Sequence, residues 1–254
     1  VLPVVLEHPG APGSQGEDVL SATIGGAVSL GSTQRPGAGV SPDLTVNGPL
    51  GAQFLIWEYA TAVAGILLKI DPFDQPNVAE SKQNTAQILQ HGDQSAQEPF
   101  ARTEHLELYG DPALFDGIRS ANSAVASLIG AAGKRSYLAV MAYLDRIHDA
   151  AAGELRGLIA RRAERPVTFG WGPRFLHSTG QYHKGGPANG AFLQITGVVA
   201  EDLAIPGKEY SFKQLQAAQA AGDRAALIDR GLPLLRVHLL DRKRGIDELL
   251  EALR

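Results

Sequence analysis

The sequence predicts an α/β fold built on a largely parallel sheet, and three observations carry that prediction. Short β-branched and apolar runs alternate with helical patterns of about 12 residues or more, the mark of strand–helix–strand layering. The apolar share of 44% and charged share of 20% are those of a globular chain with a sizeable core. The low aromatic content of 6% predicts that this core is made of Leu, Val, Ile and Ala. At 254 residues there is room for one large or two small domains.

Residues 2–6 form an apolar, β-branched strand stopped by Glu7-His8-Pro9-Gly10. Residues 10–41 are rich in Gly, Ser and Pro with few large apolar side chains, which predicts a mobile stretch. A second strand is expected over 43–47. Residues 50–70 are apolar nearly all the way round, so the expected helix is buried on most faces, with Glu58 a hydrogen-bonded or paired carboxylate. Ile70-Asp71-Pro72-Phe73-Asp74-Gln75-Pro76 breaks it. Pro76 suits the first turn of a helix to about residue 89, capped by Asp74 or Gln75.

Residues 90–110 are polar and acidic and read as a connector, the best candidate for a domain boundary. Beyond it the expected order is helix 112–130, strand 138–144, an Arg-rich helix 149–162 and strand 167–171. A glycine-rich loop over 172–190 follows, then strand 191–196, helix 212–228, strand 234–239 and a closing helix 246–253. The resulting division is 1–95 and 96–254.

Twenty-three basic against 27 acidic residues, with no block of one sign, exclude the footprint of a nucleic-acid or polybasic membrane binder. No uninterrupted uncharged apolar run reaches about 18 residues, so no membrane span is expected. The absence of cysteine excludes disulfides, thiolate metal sites and cysteine nucleophiles, and fits a reducing compartment. The opening Val-Leu-Pro-Val-Val has neither Met nor a basic region, so it is no signal peptide and is expected to be the cut end of a longer chain.

Three constellations could carry chemistry. Glu7 ends a strand at a Pro-Gly turn, where open α/β sheets place ligands and where partial burial tunes a carboxyl toward a general base. The alternative is an ordinary loop glutamate. Lys82 stands about two turns into its helix, away from the end that favours a cation, which suits a bound oxyanion nearby. The alternative is a solvated surface lysine.

The third is Gly172-Pro173-Arg174-Phe175-Leu176-His177-Ser178-Thr179-Gly180-Gln181-Tyr182-His183-Lys184-Gly185-Gly186-Pro187. Two imidazoles supply proton transfer, and glycines permit close backbone approach to a polar ligand. The phosphate-loop spacing is absent, and two histidines six residues apart without nearby Cys or carboxylate make a weak metal site. A structural loop is the alternative. His8, His91, His105, His148 and His238 read as surface or core residues.

Trp57-Glu58-Tyr59-Ala60-Thr61-Ala62-Val63-Ala64-Gly65, then Pro72-Phe73-Asp74-Gln75-Pro76-Asn77-Val78 and Lys82, resembles the C-terminal part of glucose-6-phosphate isomerases. The segment 172–187 resembles the isomerase half of bacterial transaldolase–isomerase fusions. The resemblance implies a sugar-isomerase (SIS) type three-layer α/β/α sandwich with a mainly parallel sheet. It implies interconversion of glucose 6-phosphate and fructose 6-phosphate through a cis-enediol, without metal or other cofactor. Glu7 falls on the family's catalytic base, although His8 stands where the family usually has proline. Lys82 falls on its ring-opening, substrate-binding lysine. His183 or His177 would be the ring-opening imidazole. Arg174, Ser178, Thr179, Gln181 and Lys184 would bind substrate.

The family's glycine-rich phosphate loop is missing, so the chain is expected to be the C-terminal segment of the enzyme. The expected setting is the cytoplasm, with a sugar phosphate and a second copy of the chain as partners, and neither nucleic acid nor membrane. A non-catalytic SIS module that binds a sugar phosphate is the rival reading. Transaldolase activity does not fit, because eight strand–helix units are absent.

Overall fold

The computed structural model describes residues 4–8, 19–23, 44–47, 49–74, 76–92, 98–134 and 136–254. The described residues fall into two compact units that divide between Asp74 and Pro76. The division lies some twenty residues before the expected boundary at 95–96, because the helix opening at Pro76 packs on helices near the C-terminus.

In the first unit, β1 (Val4–His8), β2 (Val19–Thr23) and β3 (Leu44–Asn47) form an antiparallel sheet with β2 in the centre. The central strand lies inside the stretch expected to be mobile; the rest of that stretch is outside the described residues. Helix α1 (Leu50–Leu68) ends at Lys69 in the left-handed region, φ 57°, and Gly65 lets Pro72 pack against the last turn.

The expectation that α1 is buried on most faces does not hold. A helix apolar round its circumference needs cover on every side, and only Gln53 and Gly65 are buried along it. Ile66 and Leu67 are 76% and 77% exposed, and Glu58 is exposed rather than a buried paired carboxylate. With 19 residues and a mean hydropathy of 1.3, α1 is long and apolar enough to cross a membrane by length and composition alone. The uninterrupted-run criterion misses it because Gln53 and Glu58 break the run.

The second unit begins with α2 (Pro76–His91). A six-stranded sheet follows, built from β4 (Ala101–Arg102), β5 (Leu106–Gly110), β6 (Tyr137–Ala142), β7 (Val167–Trp171), β8 (Gly190–Gly197) and β9 (Leu234–Leu239). Its order is β4-β5-β9-β8-β6-β7; the last four are mutually parallel, and β5 and β4 add antiparallel at the β9 edge. The expected α/β class with a largely parallel sheet is the observed one. Two strands, β4 and β5, lie within the polar segment 90–110 that was expected to be a connector.

Every residue of β6 is buried, as suits a strand covered on both faces. Leu138, Val140, Leu193, Ile195, Val237 and Leu239 pack under α4 (Ala121–Ala131), α5 (Leu155–Ala163) and α8 (Arg242–Leu253). The other face meets α6 (Ser178–Gly185) and α7 (Phe212–Ile228), along which α2 lies. This is a three-layer α/β/α arrangement. The expected helix 112–130 is split into α3 (Pro112–Phe115) and α4, with Gly117 at φ 71° in the break and Ser120 capping the second part. Helix α8 starts four residues earlier than expected, because Asp241 accepts from the Arg244 amide and opens a polar first turn.

Chain order makes the parallel strands doubly wound. From β6 the chain crosses to β7 on one side, and then returns to β8 and β9 on the other. The switch point is the carboxyl edge between β6 and β8.

Candidate functional site

Two of the three constellations meet in the second unit. Helix α2 carries the Pro72–Lys82 motif's C-terminal half, and the segment after β7 folds as a 3-10 turn (Arg174–Leu176) and α6 rather than as a loop. These elements pack on one another. Asn77 and Gln181 clasp them together: the Asn77 amide donates to Gln181 Oε1 at 3.1 Å, and Gln181 Nε2 donates to Asn77 Oδ1 at 2.8 Å.

Below the clasp lies a buried polar network. Lys184 Nζ donates to Asp223 Oδ1 at 2.5 Å, to the Phe175 carbonyl at 2.6 Å and to Ser81 Oγ at 3.0 Å. All three ammonium donors are thereby satisfied. Tyr143 Oη donates to Asp223 Oδ2 at 3.2 Å. Burial pushes the Asp223 carboxyl up, and the Lys184 charge with hydrogen bonds from Lys184, Tyr143 and Ser81 works against that push. From α6 the one ammonium thus ties α2, the 3-10 turn and α7 together, and Tyr143, the residue after β6, joins them through Asp223.

His183 lies in an aromatic nest of Tyr137, Phe175 and Phe192, with ring centroids 5.3–6.0 Å away. Its Nδ1 is 2.6 Å from Tyr137 Oη. Burial, with a smaller contribution from Lys184, pulls the imidazole down to about 4, so it is neutral at physiological pH. Burial also raises the Tyr137 phenol.

The glycines of this segment serve packing. A Cβ at Gly180 would run into the Phe175 carbonyl, and one at Gly172 into the Tyr143 ring. Both admit the close approach of neighbouring protein atoms.

Gln181, His183 and Lys184 face inward and hold the fold. Lys82 is exposed, one residue beyond buried Ser81; Arg174 and His177 are exposed at and just after the 3-10 turn. Ser178 and Thr179 open α6, but their side chains lie outside the described residues. Glu7 occupies β1 opposite Leu20, and its side chain also lies outside the described residues. It belongs to the first unit, whereas Lys82 and both imidazoles belong to the second. Among the described residues no three metal-ligating side chains cluster.

Sequence reasoning missed Asn77, Ser81, Tyr137, Tyr143 and Asp223. One signal was present: Ala217, Ala218, Ala220, Ala221 and Gly222 precede Asp223, a small-residue face that admits a second helix closely. A Cβ at Gly222 would stand 2.8 Å from Thr85 Oγ1 and 2.9 Å from its amide nitrogen.

No protein-family model matches the chain, and no curated protein matches it. Among solved structures it is similar to a hypothetical protein, TT0462, of Thermus thermophilus, at 18% identity and a TM-score of 0.45. That likeness covers 52% of this chain and 37% of the other, so it spans little more than a third of that protein's length.

Proposed function

We propose that the chain is the C-terminal part of a cytoplasmic, homodimeric aldose–ketose isomerase that interconverts glucose 6-phosphate and fructose 6-phosphate. The observation that carries the reading is the Asn77–Gln181 clasp. It joins the two segments that resemble the isomerases, and both Lys82 and His177 are exposed on the joined elements.

In this reading Lys82 and an imidazole assist ring opening at the ring oxygen. The Glu7 carboxylate takes the proton from C2 of the open aldose and returns it to C1 of the cis-enediol on the same face. Positive charge from Lys82 or Arg174 steadies the enediolate. The burial of His183, with Nδ1 engaged by Tyr137, favours His177 as the imidazole. Turnover of fructose 6-phosphate by the full-length protein, read through a coupled dehydrogenase, is the test. Lys82→Ala and Glu7→Gln are expected to lower kcat/KM by about a hundredfold or more. Near-normal rates in both variants overturn the reading.

The second reading is a SIS-type module that binds a sugar phosphate without turning it over. The structural use of Lys184 and His183 favours it, because two expected site residues are committed to the core. Calorimetric binding of glucose 6-phosphate with no turnover by the full-length protein selects it.

A further inference from the structure

The carboxyl edge of the parallel sheet holds a cavity of about 340 Å³, a volume suited to a small metabolite. It lies at the switch point: Tyr143 directly follows β6, and Thr196 and Gly197 end β8. Open α/β sheets bind ligands in this crevice, because the connections on either side leave in opposite directions and open a gap. Side chains alternate along a strand, so Thr196 and His238, opposite one another in the register, project away from buried Ile195 and Val237 toward α7.

The cations that reach this space already have partners. Arg224 and Arg236 are both engaged within the protein, Arg236 with its guanidinium carbon 3.7 Å from the centroid of the Tyr109 ring. Lys213 stands in the first turn of α7 beside Asp202, whose carboxylate accepts the Lys213 amide at 3.0 Å and feels its charge. The lining therefore does not select an anion.

Its walls are small and apolar. Ala217, Ala220 and Ala221 share one face of α7 at i, i+3 and i+4, and Gly197, Val198 and Val199 close the space from the end of β8. The layer between a helix and a sheet is normally filled by large interdigitating side chains. Alanine and glycine leave that layer open here, and a flat apolar body fills such a gap.

The polar groups of the lining that face this gap are neutral, and each type offers both a donor and an acceptor. Gln216 lines the wall from α7, and among the described residues no group is bonded to its side-chain amide. His238 Nδ1 lies 2.9 Å from Thr196 Oγ1, which leaves Nε2 for a ligand. Burial, reinforced by Arg236, lowers the His238 pKa, so the imidazole is neutral at physiological pH. An amide and a neutral imidazole side by side match a ring edge that carries a donor next to an acceptor.

We propose that this cavity binds an uncharged, planar heterocycle of the nucleobase type, its flat body between the alanine face of α7 and Val198–Val199 and its polar edge on Gln216 and His238. The site shares no residue with the Asn77–Gln181 clasp and stands independently of the isomerase reading.

The test is titration of the full-length protein with adenine, followed by amide chemical shifts. Saturable shifts centred on Thr196, Gly197, Gln216 and Ala217 are expected, and ribose, a hydroxylated body without the flat base, should produce none there. Ala217→Leu, at an exposed helix position that leucine suits, fills the gap and should weaken adenine binding by about tenfold or more. Gln216→Ala removes one neutral hydrogen-bonding partner and should weaken it about fivefold. Adenosine binding more tightly than adenine identifies the ring as part of a nucleoside; equal or weaker binding identifies the free base. Absence of saturable adenine shifts at these amides, ribose binding there as tightly as adenine, or undiminished adenine affinity in Ala217→Leu and Gln216→Ala variants of unchanged melting temperature overturns the proposal.

Discussion

Lys184 and Asp223 form an ion pair sealed from water, with Nζ 2.5 Å from Oδ1 and each side chain 1% exposed. Such a pair adds little net stability over an apolar substitute, because desolvating both charges offsets their attraction. Losing one partner is different, since the survivor is stranded.

Lys184→Met should therefore destabilise the protein by about 3–5 kcal/mol, since Asp223 then keeps its burial without its counter-charge. Lys184→Met combined with Asp223→Leu should recover most of that loss. Denaturant midpoints of the single and double variants decide it; a double variant no more stable than the single contradicts the account.

Gly222→Ala should cost about 1–3 kcal/mol, because the new methyl meets the Thr85 amide 2.9 Å away, where only backbone movement makes room. Thr85→Ala in the same chain removes the Oγ1 contact but leaves the backbone clash, so it should restore only part of the loss. An unchanged melting temperature for Gly222→Ala would show that α2 and α7 are not so closely packed.

His183 predicts a pH dependence with a definite sign. Its folded pKa of about 4 lies below the unfolded value of 6.5, so the unfolded chain binds the proton first as pH falls. Stability from this group is intact above pH 6.5 and declines toward pH 4, by up to about 3 kcal/mol. In His183→Asn that part of the slope should vanish. Identical stability-against-pH curves for the two proteins over this range would refute the assignment.

Gln181→Leu removes both bonds of the clasp, at a cost of about 1–2 kcal/mol. The Asn77 amide loses its acceptor, so its hydrogen exchange should accelerate relative to amides deeper in α2. Retained protection at Asn77 would mean that something other than Gln181 holds it.

Much of the second unit was legible from residues alone, and the reasons are local. Helix α7 matches its expected bounds because Ser211 and Gln214 form a reciprocal capping box at its start. Strands β7 and β9 match because each starts directly after a proline, Pro166 or Pro233, and β7 stops at Gly172. The candidate site was legible only as a set of residue types. Lys184 read as a ligand-binding lysine because its partner Asp223 lies 39 residues away, on a helix whose packing no local pattern reveals. His183 likewise read as an acid–base group, because its cover by Tyr137 depends on strand β6 passing 46 residues earlier in the chain.

Local chemistry alone therefore determined the order and type of most elements, the parallel character of the sheet and the exclusion of cysteine chemistry. Caps, breakers and apolar periodicity act over a few residues and are written in consecutive letters. Tertiary structure decided which polar groups became internal supports and which stayed on the surface. It also decided that Gln216 and His238 share one cavity. Burial and charge proximity are set by long-range packing, in which residues distant in sequence become neighbours.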